Sequence, residues 1–222
     1  KYDGIISNTI KLKSLNSKKG STLRLFASKG KVLQEILLYF IGDIKNYNIE
    51  NGDRLGGTLF SSLPSSISKL LVYFEPDKKL KIIKEELAAR IAHGIKLRSY
   101  TFYKYKFKSK TKFNSLLKEI TIIIKDTSLA KKYYSPLKYL EEGVYLTRNL
   151  VSEPANVLTP KALSEEAAKL RSLGIKVEIL SLPQIKRLKM GALLGVAMGS
   201  ANEPKVVSMS WNGTKNIKSK PE

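Results

Sequence analysis

Cysteine is absent from the 222 residues, and histidine occurs once, at His93. Without cysteine the chain can form no disulfide and has no thiol nucleophile, which fits a cytoplasmic protein. One histidine with no cysteine beside it is a poor metal ligand set, so we expect His93 to be a packed or surface residue. No apolar run is long enough to form a membrane-spanning helix of about 18 residues or more, so no membrane contact is expected.

The short motifs of common hydrolase and nucleotide sites are also missing. The sequence has no Gly-x-Ser-x-Gly elbow for a serine nucleophile and no Gly-x-x-x-x-Gly-Lys-Ser/Thr phosphate loop. Gly191, Gly195 and Gly199 recur at every fourth position, which is not the Gly-x-Gly-x-x-Gly spacing of dinucleotide loops. We therefore expect these glycines to let two inner strands turn and pack closely.

Acidic residues are few. The chain has 19 aspartates and glutamates but 40 lysines and arginines, which gives a net charge of +21. Such an excess raises nucleic acid as a partner. Lysine, however, supplies 33 of the 40 basic residues, whereas base recognition favours arginine. The chain is also rich in isoleucine, asparagine, tyrosine and serine, as expected from compositional drift. We favour a solvated lysine surface and keep nucleic-acid binding as the alternative.

The positive charge is concentrated in one part of the chain. Residues 1–140 have a net charge of +17 and residues 141–222 one of +4, which indicates two domains with different surfaces. Within the first part, "KYKFKSKTKF" (104–113) alternates lysines with aromatic rings, a pattern that can follow a nucleic-acid backbone. The interpretation we favour is an exposed connector with solvated lysines.

Hydrophobic patterning in the first 130 residues predicts alternating strands and helices. The predicted strands cover 4–12, 21–27, 35–42, 68–74 and 117–126, and the predicted helices cover 48–63 and 78–100. This order predicts an α/β fold with a largely parallel sheet. Gly56 and Gly57 fall inside the first helix, where they are best explained by a neighbouring backbone that approaches closely, and Asn48 or Asn51 is expected to cap it.

From residue 135 the character of the sequence changes. A helix with apolar residues at 140, 144, 146 and 150 is expected to leave the first domain and stop at Pro154. Thr159 is the predicted N-cap of the next helix, with Pro160 in its first turn, and that helix ends at Gly174. A βαβ-like order follows, with strands at 175–180, 192–200 and 205–211 and a short helix at 182–190.

The polar residues beside Pro154 have two interpretations. Glu153, beside Pro154, and Asn156 could be catalytic. The interpretation that we favour is structural, with these side chains holding the turn between two helices through hydrogen bonds to the backbone.

Two segments resemble the leucyl aminopeptidase family, the cytosolic two-metal aminopeptidases. They are "RNLVSEPANVLTP" (148–160) and "MGALLGVAMGSANEPKVVSMSWNG" (190–213). "AARIAHGIKLRSYTFYKYK" (88–106) and "ILLYFIGD" with "IENGDRLGGTLF" are similar to the family more loosely. Asn149 and Ser152 depart from the aspartate and asparagine usual in the family.

The resemblance implies an α/β fold with two domains. A macro-like N-terminal α/β domain is expected over residues 1–132 and a linking helix over 133–152. An incomplete α/β aminopeptidase catalytic domain is expected over 153–222. The family's oligomers are hexamers formed through the catalytic domains.

The resemblance also implies an activity, the removal of N-terminal amino acids, leucine preferred, from peptides in the cytoplasm. In the family two divalent metal ions, zinc or manganese, activate the attacking water. Their ligands are expected beyond residue 222, so no residue of this chain is assigned as catalytic, metal-binding or cofactor-binding, and the chain alone is expected to be inactive. The alternatives are a basic module that binds nucleic acid and a part that serves oligomer assembly.

Overall fold

A computed structural model of the chain describes residues 4, 8–9, 20–29, 32–41, 48–49, 51–64, 66–74, 83–105 and 117–213, with the backbone alone at 27–29 and 32–34. The chain divides into two compact units, Lys1–Leu146 and Thr147–Glu222. Each unit contains both helices and strands, as the predicted α/β class requires.

The described residues of the first unit form two pairs of strands. The strands are β1 (Thr22–Lys29), β2 (Val32–Tyr39), β3 (Lys69–Val72) and β4 (Glu119–Ile122). β1 and β2 are antiparallel, and β3 and β4 are parallel with Lys69 opposite Glu119. The prediction of a largely parallel sheet is therefore right for β3 and β4 and wrong for β1 and β2, which follow each other directly and pair as neighbours in sequence.

The predicted strand 4–12 is only partly described. Its described residues, Gly4, Asn8 and Thr9, are helical, so the strand prediction is wrong for these three positions. The other residues of that segment lie outside the described part of the chain.

Two helices pack together in the first unit, α1 (Asn51–Ser61) and α2 (Lys84–Arg98). Leu59 of α1 and Leu87, Ile91 and Ile95 of α2 form the buried centre of their contact. Alternate residues of the β3–β4 sheet and Leu37 of β2 pack against this centre. A third helix, α3 (Thr127–Ser152), follows β4, and the backbone N–H of Leu129 donates to the Asp126 carboxylate at its start.

Glycine makes the close contact between α1 and α2 possible. A methyl group on Gly56 would lie 2.1 Å from the carbonyl oxygen of Ile91, and one on Gly94 would lie 1.9 Å from that of Asp53. The predicted close approach of a neighbouring backbone is confirmed at Gly56. The predicted cap is confirmed as Asn48, whose side-chain oxygen accepts from the Asn51 N–H at 3.1 Å.

The second unit contains α4 (Pro160–Lys169), a 3₁₀ turn (Leu170–Leu173), β5 (Lys176–Leu180), α5 (Leu182–Arg187), α6 (Gly191–Ala197) and β6 (Val206–Ser210). The predicted strands at 175–180 and 205–211 and the predicted helix at 182–190 are confirmed, with shorter bounds. β5 and β6 run antiparallel, with Lys176 opposite Ser210, so the expected βαβ order is wrong here. Gly174 ends the helical segment with φ 83°, a left-handed conformation that favours glycine.

The predicted strand at 192–200 is wrong, because most of that segment forms helix α6. The N–H of Leu194 donates to the carbonyl of Met190, and the N–H of Met198 donates to that of Leu194, both at 3.1 Å. Alanine, leucine and methionine dominate the segment and favour a helix, whereas Val196 is its one β-branched residue. The short apolar run could not be distinguished from a strand by periodicity.

The packing role predicted for the three glycines of this segment is also wrong. A methyl group on Gly191, Gly195 or Gly199 would meet no described atom within 4 Å beyond its chain neighbours and the backbone of its own helix. These glycines therefore bring no two strands together in the described structure.

The start of α4 follows the sequence prediction. Thr159 has extended backbone angles, its hydroxyl accepts from the Ala162 N–H at 3.3 Å, and Pro160 occupies the first turn. The hydroxyl satisfies one of the backbone donors that a helix start leaves unpaired, and proline has no donor to leave unpaired.

Replacing Thr159 by alanine is expected to destabilise the first turn of α4 by about 1 kcal/mol. Hydrogen exchange at the Ala162 amide should become about fivefold faster if opening of this turn governs the exchange. Thr159→Ser keeps the acceptor oxygen and serves as the matched control, with an exchange rate close to that of the original chain. Equal exchange in the alanine and serine variants would contradict the cap.

Candidate functional site

His93 lies in the buried face of α2, as the packed alternative predicted. Its side chain is 4% exposed, and its Nδ1 atom lies 3.1 Å from Oε1 of Glu141 in α3. The second carboxylate oxygen, Oε2, accepts a hydrogen bond from the Tyr134 hydroxyl at 3.0 Å. The three side chains form one polar network between α2 and α3.

The electrostatics of this network favour structure over catalysis. Burial raises the pKa of the Tyr134 hydroxyl well above its usual range, and its hydrogen bond to Glu141 raises it further. The Glu141 side chain is 5% exposed, and both of its oxygens are engaged within the protein. A substrate has no access to such a carboxylate, so the network is suited to holding α2 against α3.

The turn after Pro154 is held mainly by its backbone. The N–H groups of Val157 and Leu158 both donate to the Pro154 carbonyl at 2.9 Å. Asn156 is exposed, and no hydrogen bond of its side chain is found within the described residues. The predicted side-chain hydrogen bond of Asn156 is therefore not found in the described structure, and the role predicted for the Glu153 side chain stays a prediction.

The basic and aromatic segment 104–113 is described only at its first two residues. The Lys104 ammonium lies 5.5 Å from the centre of the Tyr105 ring, and that ring lies 5.9 Å from the Phe102 ring. Residues 106–113 lie outside the described part, so the connector interpretation stays a prediction.

The described residues offer no group of three or more histidine, cysteine, aspartate or glutamate side chains that could hold a metal ion. Over the same residues, no helix is both long and apolar enough to cross a membrane.

A cavity of about 510 Å³ lies in the first unit between α2, β4 and the start of α3. Its walls are mainly apolar and include alanines of α2 and isoleucines of β4, with Ser99, Thr127 and Tyr134 among them. Three exposed lysines, Lys96, Lys118 and Lys131, also line it and form what we call its edge. Sequence reasoning missed this cavity. Its one signal was the run of small residues at Ala88, Ala89 and Ala92, which leaves space on one face of a helix that otherwise packs large side chains.

Two sequence models of one family match the chain in consecutive segments. The N-terminal domain of the cytosol aminopeptidase family matches residues 1–109, and the catalytic domain of that family matches residues 145–221. The matched segments lie in the order that the resemblance predicted.

Curated relatives carry the same family name. The chain is 37% identical over 199 residues to a probable cytosol aminopeptidase of Rhodopseudomonas palustris strain TIE-1, covering 89% of this chain and 39% of that protein. It is 38% identical over 205 residues to a protein of the same name from Brucella suis biovar 1, covering 91% and 40%. The chain thus spans about two fifths of the length of these relatives.

Solved structures confirm the α/β fold class. A mutant of tomato leucine aminopeptidase matches with a TM-score of 0.77 and 28% identity, over 93% of this chain and 41% of that one. The bottromycin maturation enzyme BotP matches with a TM-score of 0.70 and 17% identity, over 92% and 43%, which shows a shared fold alone. BotP in complex with Mn matches with a TM-score of 0.71 and 16% identity, over 92% and 42%.

Proposed function

The chain belongs to the cytosol aminopeptidase family, and from this premise we propose that it supplies the N-terminal domain and the first part of the catalytic domain of a peptidase. That enzyme removes N-terminal amino acids, leucine preferentially, from peptides in the cytoplasm. The observation that carries the proposal is the consecutive match of the two family domains to residues 1–109 and 145–221. The names of the curated relatives support the same activity.

The domain bounds that we propose follow the helix between the two matches. Residues 1–132 form the macro-like N-terminal domain, 133–152 the linking helix and 153–222 the first part of the catalytic domain. The continuous helix α3 (Thr127–Ser152) and the division of contacts after Leu146 support a linker in this region. The catalytic domain is where we propose that the enzyme assembles into a hexamer.

The metal requirement of the proposed enzyme is two divalent ions, zinc or manganese, which would activate water for attack on the peptide carbonyl. The structural neighbour BotP has been solved in complex with Mn, which supports manganese. The described residues do not fit this role, because they form no cluster of metal-ligating side chains and His93 is engaged with Glu141. We assign no ligand among them and derive no catalytic step from them.

A chimaera tests this proposal. The chain, joined to the part of the Rhodopseudomonas relative that follows the matched region, is expected to hydrolyse leucine p-nitroanilide with added Mn²⁺. Its rate should exceed that of the added part alone by about a hundredfold or more, since a complete site lowers the barrier by several kcal/mol. EDTA should abolish the activity.

The controls separate misfolding from a wrong assignment. The unmodified chain should give no hydrolysis above buffer, and an arginine anilide in place of the leucine anilide tests the proposed preference. A chimaera that is folded by circular dichroism and elutes as one species, yet hydrolyses neither substrate with either metal, would refute the proposed activity.

A further inference from the structure

The cavity of the first unit has the size and walls of a small-molecule site. Its volume of about 510 Å³ falls within the usual range of ligand pockets, about 300–1,000 Å³. Ala88 and Ala92 of α2 and Ile120 and Ile122 of β4 line it. The alanine side chains are too short to fill the space, so apolar walls remain open to a ligand.

The edge of the cavity is positively charged. Lys96, Lys118 and Lys131 line it, all three are exposed, and none of the described residues that line it is acidic. Other lysines behave differently, since Lys69 and Lys176 form ion pairs with glutamates at 2.8 and 2.9 Å.

Among the described residues, no carboxylate forms such an ion pair with the three lysines at the edge. Lys118 and Lys131 form no ion pair within the described part of the chain, and the Lys96 ammonium lies 5.5 Å from the centre of the Tyr145 ring. An apolar cavity with an uncompensated cationic edge is complementary to a ligand with an apolar body and an anionic end.

We propose that this cavity binds a free medium-chain carboxylate, with its aliphatic chain between the alanine and isoleucine walls and its carboxylate among Lys96, Lys118 and Lys131. The apolar walls favour burial of methylene groups, and each lysine offers an ammonium donor to the carboxylate. A peptide N-terminus or another ammonium would meet like charges at the same edge. The site lies in the first unit and does not depend on the proposed peptidase activity.

Calorimetric titration of the full chain with three ligands of equal chain length tests the charge preference. The ligands are octanoate, 1-octanol and octylammonium, at about pH 7 and about 50 mM salt, where surface charges are only partly screened. Octanoate is expected to bind saturably at one site. Octylammonium should bind more weakly than octanoate by a factor of at least about ten. Equal affinity for the two ions, or a signal with octanoate that does not saturate, would overturn the proposal.

Paired lysine variants separate the site from the general charge of the chain. Replacing both Lys118 and Lys131 by glutamine is expected to lower octanoate affinity about five- to tenfold and to leave 1-octanol binding unchanged. The matched control replaces Lys132 and Lys138 by glutamine. Both lie on α3, the helix that contributes Lys131, but do not line the cavity. The control removes the same charge and should leave both affinities unchanged. An equal loss in both pairs would overturn the proposal.

A cavity-filling variant tests the apolar part of the site. Ala92→Trp, checked for native circular dichroism, is expected to abolish binding of both octanoate and 1-octanol, because its ring occupies the space between the walls. Unchanged binding in this folded variant would place the ligand elsewhere and overturn the proposal. If the variant does not fold, the paired lysine variants decide the outcome.

Discussion

Replacing Gly56 by alanine is expected to destabilise the helical pair of the first unit by about 3 kcal/mol or more. The added methyl group would lie 2.1 Å from the carbonyl oxygen of Ile91 and 2.9 Å from the amide nitrogen of Ile95. Both are backbone atoms of α2, so no change of rotamer relieves the contact and the helices must move apart. That movement would also loosen the packing of Leu59 against Leu87. The gain in helix propensity, about 1 kcal/mol, is too small to compensate.

The adjacent residue, Gly57, provides a matched control in the same helix. Among the described residues, the nearest atom to a methyl group there, outside its own helix, would be the Gly94 carbonyl oxygen at 3.7 Å, which is an ordinary contact. Gly57→Ala should therefore leave the unit as stable as before or stabilise it by up to about 1 kcal/mol.

The two glycine variants should be compared by urea unfolding. Far-UV circular dichroism follows the loss of helix, and hydrogen exchange in α1 and α2 assigns the change to this unit, since two units need not unfold together. Equal stability of the two variants would mean that α1 and α2 lie farther apart than the structure places them.

The close contact at Gly56 could be predicted from the sequence only in part. Two adjacent glycines in a helical pattern predicted a close backbone, and the structure confirms it at Gly56. The partner, however, is the α2 backbone around Ile91, and β3 lies between α1 and α2 in the chain. No local pattern at Gly56 specifies a contact over that separation, so the sequence predicted that a partner exists without identifying it.

The second unit shows where hydrophobic patterning is ambiguous. The run at 192–200 has small residues, glycine every fourth position and only one β-branched side chain. A buried strand and a short helix have similar apolar content at this length, and helix propensity, more than continuity of the apolar run, proved to be the better guide to α6. The cap at Thr159 was predictable because it depends on residues within a few positions of each other.

The polar network of the first unit was predictable only in part. The isolation of His93 among the residue types that bind metals indicated a packed or surface residue, and its burial shows that it is packed. Its partner Glu141 lies 48 positions away, within a helix whose surface otherwise carries many charges. Sequence spacing within one helix cannot reveal such a pairing, because it arises only when α2 and α3 pack together.

Replacing Glu141 by alanine is expected to lower the free energy of unfolding of the first unit by about 3–5 kcal/mol. The change removes the partner of the His93 ring and of the Tyr134 hydroxyl, both within about 3 Å of its carboxylate. The His93 side chain, 4% exposed, would remain unpaired with little access to water, and the Tyr134 hydroxyl would lose its acceptor in a half-buried position. The neighbouring Glu142 is exposed, and Glu142→Ala should change stability by less than about 0.5 kcal/mol.

Replacing all three members of the network should lower the free energy of unfolding less than replacing Glu141 alone. A triple variant with His93→Leu, Tyr134→Phe and Glu141→Leu replaces each member of the network by an apolar side chain of similar size. None of the three polar groups is then left unpaired. The triple variant is expected to be more stable than Glu141→Ala by at least about 2 kcal/mol in the same urea unfolding experiment. A triple variant no more stable than Glu141→Ala would contradict this account. The hydrogen-bonded network would then contribute net stability, and the cost of Glu141→Ala would reflect lost attraction and not stranded polar groups.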